Sequence, residues 1–110
     1  MYDGLGAIIV APVRELAIQI FEVLNSFAEQ HNFSAGLVIG GKDYKVERKH
    51  INKMNVLVAT PGRLLQHMEE SPGFNSDNVK MLVLDEVDML LELGFVSMVK
   101  AIIGNLNRRH

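Results

Sequence analysis

The sequence contains no cysteine, no tryptophan and only three prolines. The absence of cysteine excludes disulfide bonds and thiolate metal sites, which suits an intracellular protein. No apolar run approaches the roughly 18 residues that cross a bilayer. Residues 1–4 have no basic stretch ahead of an apolar one and so do not resemble a signal peptide. The sequence therefore predicts a protein that does not act in a membrane.

A large excess of charge is also missing. The chain carries 11 lysines and arginines against 13 aspartates and glutamates, which gives a net charge of −2. No overall field draws it to nucleic acid, so any such contact must be local and geometric. Its 110 residues, 48% of them hydrophobic, suffice for one domain, or part of one, with a real core.

What is present is a recurring unit: a short apolar run, a turn signal, and a stretch with apolar residues at helical spacing. The apolar runs cover residues 7–11, 35–39, 56–59 and 81–84; helices are expected from 14, over about 43–53, from 61, and over about 96–106. Four such units predict an α/β fold with a parallel sheet flanked by helices. The carboxyl ends of parallel strands line the ligand crevice, and every unusual cluster of this sequence follows such an end.

An acidic cluster, Asp85-Glu86-Val87-Asp88, follows the last apolar run directly. A Mg²⁺–nucleotide site requires such a pair: one carboxylate holds the hydrated ion through water, and the next orients or deprotonates an attacking water. Acids placed at a helix start by the helix dipole are the alternative explanation. The four apolar residues before the cluster favour the metal site.

A second cluster, Thr60-Pro61-Gly62-Arg63, places backbone N–H groups, a hydroxyl and a guanidinium at a helix start. Such a start binds anions, and arginine holds phosphate through two parallel hydrogen bonds. Plain capping by Thr60 and Pro61 explains the same residues.

Gly40 and Gly41 follow the second apolar run, and they permit positive φ and the close approach of another backbone. A simple tight turn explains them equally. The segment after them has five cations against two acids, a local charge of +3, which either tracks a phosphate backbone or forms a solvated helix face. These residues are Lys42, Lys45, Arg48, Lys49 and Lys53 against Asp43 and Glu47.

Two other patterns predict no site. Residues 36–43 nearly match a phosphate loop, but Asp43 replaces the magnesium-ligating hydroxyl, and residues 37–39 belong in a strand. The histidines share no ligand spacing, so surface or helix-end positions explain them better than metal binding; they are His31, His50, His67 and His110.

Together these segments resemble the DEAD-box RNA helicases. Residues 11–17 resemble the family's Pro-Thr-Arg-Glu-Leu-Ala motif, Gly40-Gly41 and residues 60–63 match its next two RNA-contacting motifs, and residues 83–88 match the segment that names it. Residues 93–95 follow where the family has Met-Gly-Phe. Because order and spacing agree over the whole chain, the match is more specific than any single motif. Residues 33–37 and 62–68 are similar to the nucleolar branch that acts in ribosomal RNA processing.

The resemblance implies a role for each site residue. Asp85 would hold Mg²⁺ through water, Glu86 would activate the hydrolytic water, and Asp88 would couple the nucleotide state to other motifs. The sugar–phosphate backbone of one RNA strand would be held, without base reading, by Pro12, Arg14, Gly40, Gly41, Thr60, Gly62 and Arg63. The implied cofactors are ATP and Mg²⁺, the implied partners are RNA and the remainder of the helicase, and the implied location is the nucleolus.

The resemblance also implies that residues 1–110 form part of the first RecA-like domain, the ATP-binding one, without its phosphate-loop and Ser-Ala-Thr segments. The chain alone is then expected to be inactive, its strand at 81–84 is expected to keep an unpaired edge, and the intact parent would be an ATP-dependent RNA helicase. Val13 stands where the family has threonine and removes a hydroxyl. Val87 replaces alanine and adds two methyls where packing is expected to be tight.

Two alternatives stay open. One is a degenerate RNA-binding protein without ATPase activity, which the two valines would suit. The other is a protein-interaction module whose motifs are relics. A Gly-Ser-Gly-Lys-Thr phosphate loop encoded upstream would favour the helicase.

Overall fold

The computed structural model describes residues 4–41, 44–71, 74–76 and 78–107. The strands are β1 (Ala7–Val10), β2 (Ala35–Val38), β3 (Val56–Ala59) and β4 (Met81–Leu84). The helices are α1 (Arg14–His31), α2 (Tyr44–Ile51), α3 (Pro61–Glu70), α4 (Val87–Glu92) and α5 (Val96–Asn107). Every strand lies where an apolar run predicted it, with β1 and β2 one residue shorter. The short helix α4 was not predicted.

The four strands form one parallel sheet in the order β2-β3-β1-β4. The predicted α/β fold with a parallel sheet and flanking helices is therefore confirmed. Because all strands run in one direction, their carboxyl ends share one edge of the sheet. The ends of β2, β3 and β1 are adjacent there, and the end of β4 lies on the far side of β1.

Alternate strand residues face opposite layers. On one face, Ile8 and Leu57 pack with Leu64 of α3 and Ile102 of α5, and all four are almost fully buried. On the other face, the strand residue Val58 packs in a cluster with residues of α1. The central strands of the sheet are therefore covered on both faces, and the loops that carry the motifs follow the strands at its carboxyl edge.

The edge strand β4 pairs with β1 alone among the described residues, which confirms the expected unpaired edge. Its residues Leu82 and Leu84 pack into the core. The alternate residues Met81 and Val83 remain 58% and 39% exposed. The α1 layer therefore does not reach across to β4.

No helix in the described part of the chain has both the length and the apolar character that crossing a membrane requires.

Candidate nucleic-acid interface

An open cleft of ≈ 740 Å³ lies where β1 and β3 end. Five of the predicted backbone-binding residues line it: Pro12, Arg14, Thr60, Gly62 and Arg63. The loop and helix after β1 and the first turn of α3 thus form its two walls. The structure brings these two motifs together although nearly fifty residues separate them in the sequence.

Gly40 and Gly41 have φ of +79° and +74°, so the predicted positive φ is confirmed. A Cβ on Gly41 would lie 2.8 Å from a terminal nitrogen of Arg14, and one on Gly40 would lie 4.0 Å from Cδ of Arg63. The nearest heavy atoms at both positions belong to arginine side chains. Gly41 therefore leaves room for Arg14, which a tight turn alone does not require, whereas the 4.0 Å at Gly40 is an ordinary van der Waals distance.

The start of α3 presents N–H groups to the cleft. Pro61 occupies the first helical position, as predicted, and Thr60 precedes it with extended backbone. Thr60 is the N-cap residue, as the capping explanation predicts, although its hydroxyl makes no capping hydrogen bond among the described residues. In α-helices generally, the N–H groups of the first turn have no partner within the helix and are donors suited to an anion. Here Pro61 has no N–H and the N–H of Thr60 donates to the carbonyl of Val38 at 3.2 Å.

Arg63 is held by contacts within the chain. Its Nε donates to Oε1 of Glu47 at 2.7 Å, and its Nη1 donates to Oε1 of Gln66 at 3.2 Å. The guanidinium carbon lies 4.9 Å from the ring centroid of Tyr44. The Arg63 side chain therefore lines the cleft, and hydrogen bonds to one residue of α2 and one of α3 hold its guanidinium in place.

His67 contacts both Glu47 and Tyr44. Its Nε2 lies 2.8 Å from the same Oε1 of Glu47, and its ring stacks on Tyr44 with centroids 4.1 Å apart. The Oγ of Ser71 lies 3.2 Å from His67 Nδ1 and 2.7 Å from the Tyr44 hydroxyl. We call Tyr44, Glu47, Arg63, His67 and Ser71 the Glu47 network.

His67 lies at a helix end, in the last turn of α3, which is one of the two predicted positions, but it is completely buried and so is not on the surface. His31 and His50 are exposed near helix ends, as predicted. His110 lies outside the described residues.

The protonation states of the network follow from its geometry. Burial raises the pKa of Glu47, but the hydrogen bonds from His67 and Arg63 outweigh this and hold the pKa below its ordinary 4.5. Burial lowers the pKa of His67 below its ordinary 6.5, against the hydrogen bond to Glu47. A neutral His67 that donates from Nε2 must accept at Nδ1, so Ser71 donates to His67, and Tyr44 donates to Ser71. The hydrogen bonds therefore run in one direction, from Tyr44 to Glu47.

Glu47 was not predicted as a site residue, because in the sequence it is one of two acids in a basic segment. In the structure Lys45, Arg48 and Lys49 are exposed, whereas Glu47 is 7% exposed and faces α3. A signal existed, because Glu47 and Ile51 are four residues apart and share the buried face of α2. Lys42 and Asp43 lie outside the described residues.

The apolar floor of the cleft was also missed. Phe95 and Met98 line it, and the Sδ of Met98 lies 3.9 Å from where a Cβ on Gly62 would stand. The match of residues 93–95 to the family pattern was the available signal, although it indicated no role in the cleft.

The acidic cluster lies beyond β4 and does not line the cleft. The backbone N–H of Asp85 donates to the carbonyl of Val10 at 2.9 Å, which ties the cluster to the end of β1. Glu86 has φ 51° and ψ 58°, a left-handed conformation, and precedes α4, which carries Asp88 in its first turn. The alternative of acids at a helix start is thus geometrically present. Left-handed non-glycine residues are costly, however, and cluster at functional sites.

The whole chain, residues 1–110, matches the family described as DEAD/DEAH box helicase. The chain belongs to this family. The ATP-dependent RNA helicase DBP4 of Mycosarcoma maydis is 58% identical to it over 106 residues, which are 96% of this chain and 12% of that protein. The probable ATP-dependent RNA helicase ddx10 of Dictyostelium discoideum is 57% identical over 106 residues, again 96% and 12%. This DEAD-box chain thus spans about an eighth of the length of these curated relatives.

Solved structures agree with this assignment. A DEAD box protein from the hyperthermophile Methanococcus jannaschii matches with TM-score 0.88 and 37% identity, over 96% of this chain and 29% of that one. Mss116p bound to ssRNA and AMP-PNP matches with TM-score 0.86 and 34% identity, over 96% of this chain and 22% of that one. The predicted fold, an incomplete RecA-like domain of a DEAD-box helicase, is confirmed.

Two positions depart from the pattern expected of a DEAD-box chain. Val13 stands at the N-cap of α1 with extended backbone, where its side chain has no oxygen to accept a helix N–H. Val87, the first residue of α4, is 48% exposed. The expectation of tight packing at Val87 is therefore wrong in this structure.

Proposed function

We propose that the protein carrying this DEAD-box chain is an ATP-dependent RNA helicase that grips the RNA backbone and couples ATP hydrolysis to local duplex unwinding. The observation that carries the proposal is the convergence of Arg14, Arg63 and the first turn of α3 on one cleft. Family membership and relatives described as ATP-dependent RNA helicases support it.

The chemistry of the cleft favours phosphate over bases as the contacted group. Two guanidinium groups and the N–H donors of a helix start suit phosphate oxygens, which carry no sequence information. The net charge of −2 supplies no general attraction, so binding depends on this local geometry. A solved relative bound to single-stranded RNA supports RNA as the ligand.

The acidic cluster suits a hydrated magnesium ion with ATP. Carboxylates at a strand tip are hard oxygen ligands, which Mg²⁺ prefers, and it keeps most of its waters. In this proposal Asp85 holds the ion through water, Glu86 orients and deprotonates the attacking water, and Asp88 couples the nucleotide state to the other motifs. The bound Mg²⁺ would neutralise charge on the phosphates.

The proposal also covers the domain to which the chain belongs and the cellular role of the whole protein. We place residues 1–110 within the first RecA-like domain; they contain no phosphate loop, so by themselves they are expected not to turn over ATP. The similarity of residues 33–37 and 62–68 to the nucleolar branch supports a role in ribosomal RNA processing in the nucleolus.

The test is phosphate release by the intact protein with and without RNA. We expect RNA to stimulate hydrolysis, and Glu86→Gln to reduce turnover by about 100-fold or more while ATP binding persists, because a positioned base contributes that much. Glu92→Gln, an exposed acid at the other end of α4, is the matched control and should leave turnover unchanged. RNA binding without any hydrolysis in the wild type would favour the RNA-binding alternative instead.

A further inference from the structure

Arg63 lies in the cleft with its side chain already fixed. Its stem lies beside Gly40, its Nε is bound to Glu47, its Nη1 is bound to Gln66, and its guanidinium lies near the Tyr44 ring. The side chain is only 16% exposed although it belongs to a cleft wall. An arginine that binds a ligand from a flexible state must first lose that freedom, and Arg63 has lost it in advance.

Glu47 presents a physical conflict at this site. A carboxylate 2.7 Å from Arg63 repels the phosphate that the arginine is to bind. Burying that carboxylate also costs free energy unless it is fully paired. Charge alone would therefore favour a neutral residue at this position of α2.

We propose that Glu47 is a positioning residue for Arg63, and that His67 holds Glu47 in the orientation that this requires. The inference rests on the proposed function, in which Arg63 binds an RNA phosphate. A single oxygen, Oε1, accepts from both Arg63 Nε and His67 Nε2, so the two donors fix the carboxylate between them. Since Glu47 is on α2 and the donors are on α3, the pair also locks the two helices together.

The rest of the Glu47 network supports this role. The relay from Tyr44 through Ser71 to His67 leaves Nε2 of the histidine as a donor, aimed at the carboxylate. The Tyr44 ring, stacked on His67, lies near the Arg63 guanidinium as well. Tyr44 and Ser71 therefore restrain the histidine that binds the carboxylate, and Tyr44 also lies against the arginine.

Two substitutions separate position from charge. Glu47→Gln and Glu47→Ala both remove the negative charge, but only glutamine keeps an acceptor oxygen at the end of the side chain. In the intact protein we expect Glu47→Ala to bind single-stranded RNA about two- to tenfold more weakly than Glu47→Gln, the range expected for ordering one long side chain. A charge effect would leave the two variants alike, both tighter than wild type.

The double-mutant cycle decides whether the effect acts through Arg63. The difference between the alanine and glutamine variants should vanish in an Arg63→Ala background and persist in an Arg14→Ala background. Equal affinities of the two variants, or a difference that survives Arg63→Ala, would overturn the proposal. If the wild-type protein showed no salt-dependent RNA binding, that result would instead count against the proposed function.

A spectroscopic readout covers the case in which Glu47→Ala fails to fold. The Nε–H resonance of Arg63, assigned by its disappearance in Arg63→Lys, should be resolved and protected from exchange in the RNA-free protein. Glu47→Gln should shift it, because a charged acceptor is replaced by a neutral one. A resonance averaged with those of exposed arginines before RNA is added would show that no positioning exists.

Discussion

The carboxyl edge of the sheet has two regions that differ in how their side chains are held. Beyond β2, β3 and β1, the arginines lie against glycines, and Arg63 is bound by Glu47. Beyond β4, Glu86 and Asp88 are exposed, and the backbone of Glu86 is in a left-handed conformation. We refer to these as the arginine side and the acidic side.

This difference predicts how substitutions on each side affect stability and function. Around Arg63 the chain's own contacts set the geometry, so a substitution there changes stability and ligand affinity together. On the acidic side few internal contacts depend on the carboxylates, so a substitution there changes chemistry with little loss of stability. The following measurements test whether this division holds.

The largest effect on stability is expected for Arg63→Ala. It removes the guanidinium that donates to the buried Glu47 carboxylate, and a hydrogen bond to a charged group contributes about 1.5–3 kcal/mol. Arg14→Ala removes an exposed arginine and should change the free energy of unfolding by less than about 0.5 kcal/mol. Both should weaken binding of all RNA sequences alike.

Denaturant unfolding measures the free energy of unfolding of each variant, and RNA titration over a range of salt concentrations measures its RNA affinity. Each substitution should lower the salt slope by about one. Equal stabilities for the two variants would show that the Glu47 network carries no folding energy, and the comparison of the two sides would fail.

A smaller loss of stability is expected from alanine substitution at either of two matched glycines. Gly41 and Gly94 have φ of +74° and +77°, so alanine at either position costs about 1–2 kcal/mol of backbone strain. A Cβ at Gly41 would meet the Arg14 guanidinium below 3 Å, whereas nothing lies within 4 Å at Gly94.

The guanidinium is the end of a flexible side chain, so moving it costs little folding energy, but Arg14 then leaves its place in the cleft. Both variants should therefore lose similar stability, and only Gly41→Ala should weaken RNA binding. An equal loss of affinity in Gly94→Ala would mean that the strain, and not the contact with Arg14, controls binding.

A gain of stability of about 1 kcal/mol is expected on the acidic side from Glu86→Gly. Glycine adopts the left-handed conformation without the cost that Glu86 bears at φ 51°. Asn32, at φ 60°, is the control, because asparagine tolerates this conformation better and Asn32→Gly should gain less. The Glu86 variant should melt higher yet lose ATP hydrolysis; a lower melting temperature would show that the side chain stabilises the fold after all.

The sequence predicted the strands and the placement of the two sides well, for a physical reason. Uninterrupted apolar runs such as 56–59 mark strands covered on both faces, and parallel pairing then brings their carboxyl ends to one edge. The acidic cluster and the residues after β3 were therefore located from the pattern alone.

The Glu47 network could not be predicted in the same way. Its burial arises from a partner sixteen or twenty residues along the chain, and isolated Glu47 and His67 look like exposed polar residues. The helix α4 was missed because its six residues are too few to show helical periodicity. Local pattern thus predicts elements, whereas pairing between elements requires the packed structure.

The smallest expected effect is a pH dependence of folding stability that arises on the arginine side, at His67 and Glu47. The groups facing His67 are Glu47, Tyr44 and Arg48 of α2, and Arg63 of α3, with Ser71 following α3. Its folded pKa lies below 6.5, so the unfolded chain binds the proton first as pH falls. Stability from His67 is then complete above about pH 6.5 and declines as pH falls toward the folded pKa.

Glu47 acts in the same direction at lower pH. Its folded pKa lies below 4.5, so its contribution is present above that value and is lost as pH falls through the folded pKa. Thermal unfolding from pH 7 to pH 5 should therefore show a shallow decline in wild type. His67→Gln keeps a donor for Glu47 but does not titrate, so it should remove the decline, whereas His50→Gln, an exposed histidine of α2, should keep it. A decline that persists in His67→Gln would show that other groups control acid stability, and that the network is not maintained by a neutral histidine.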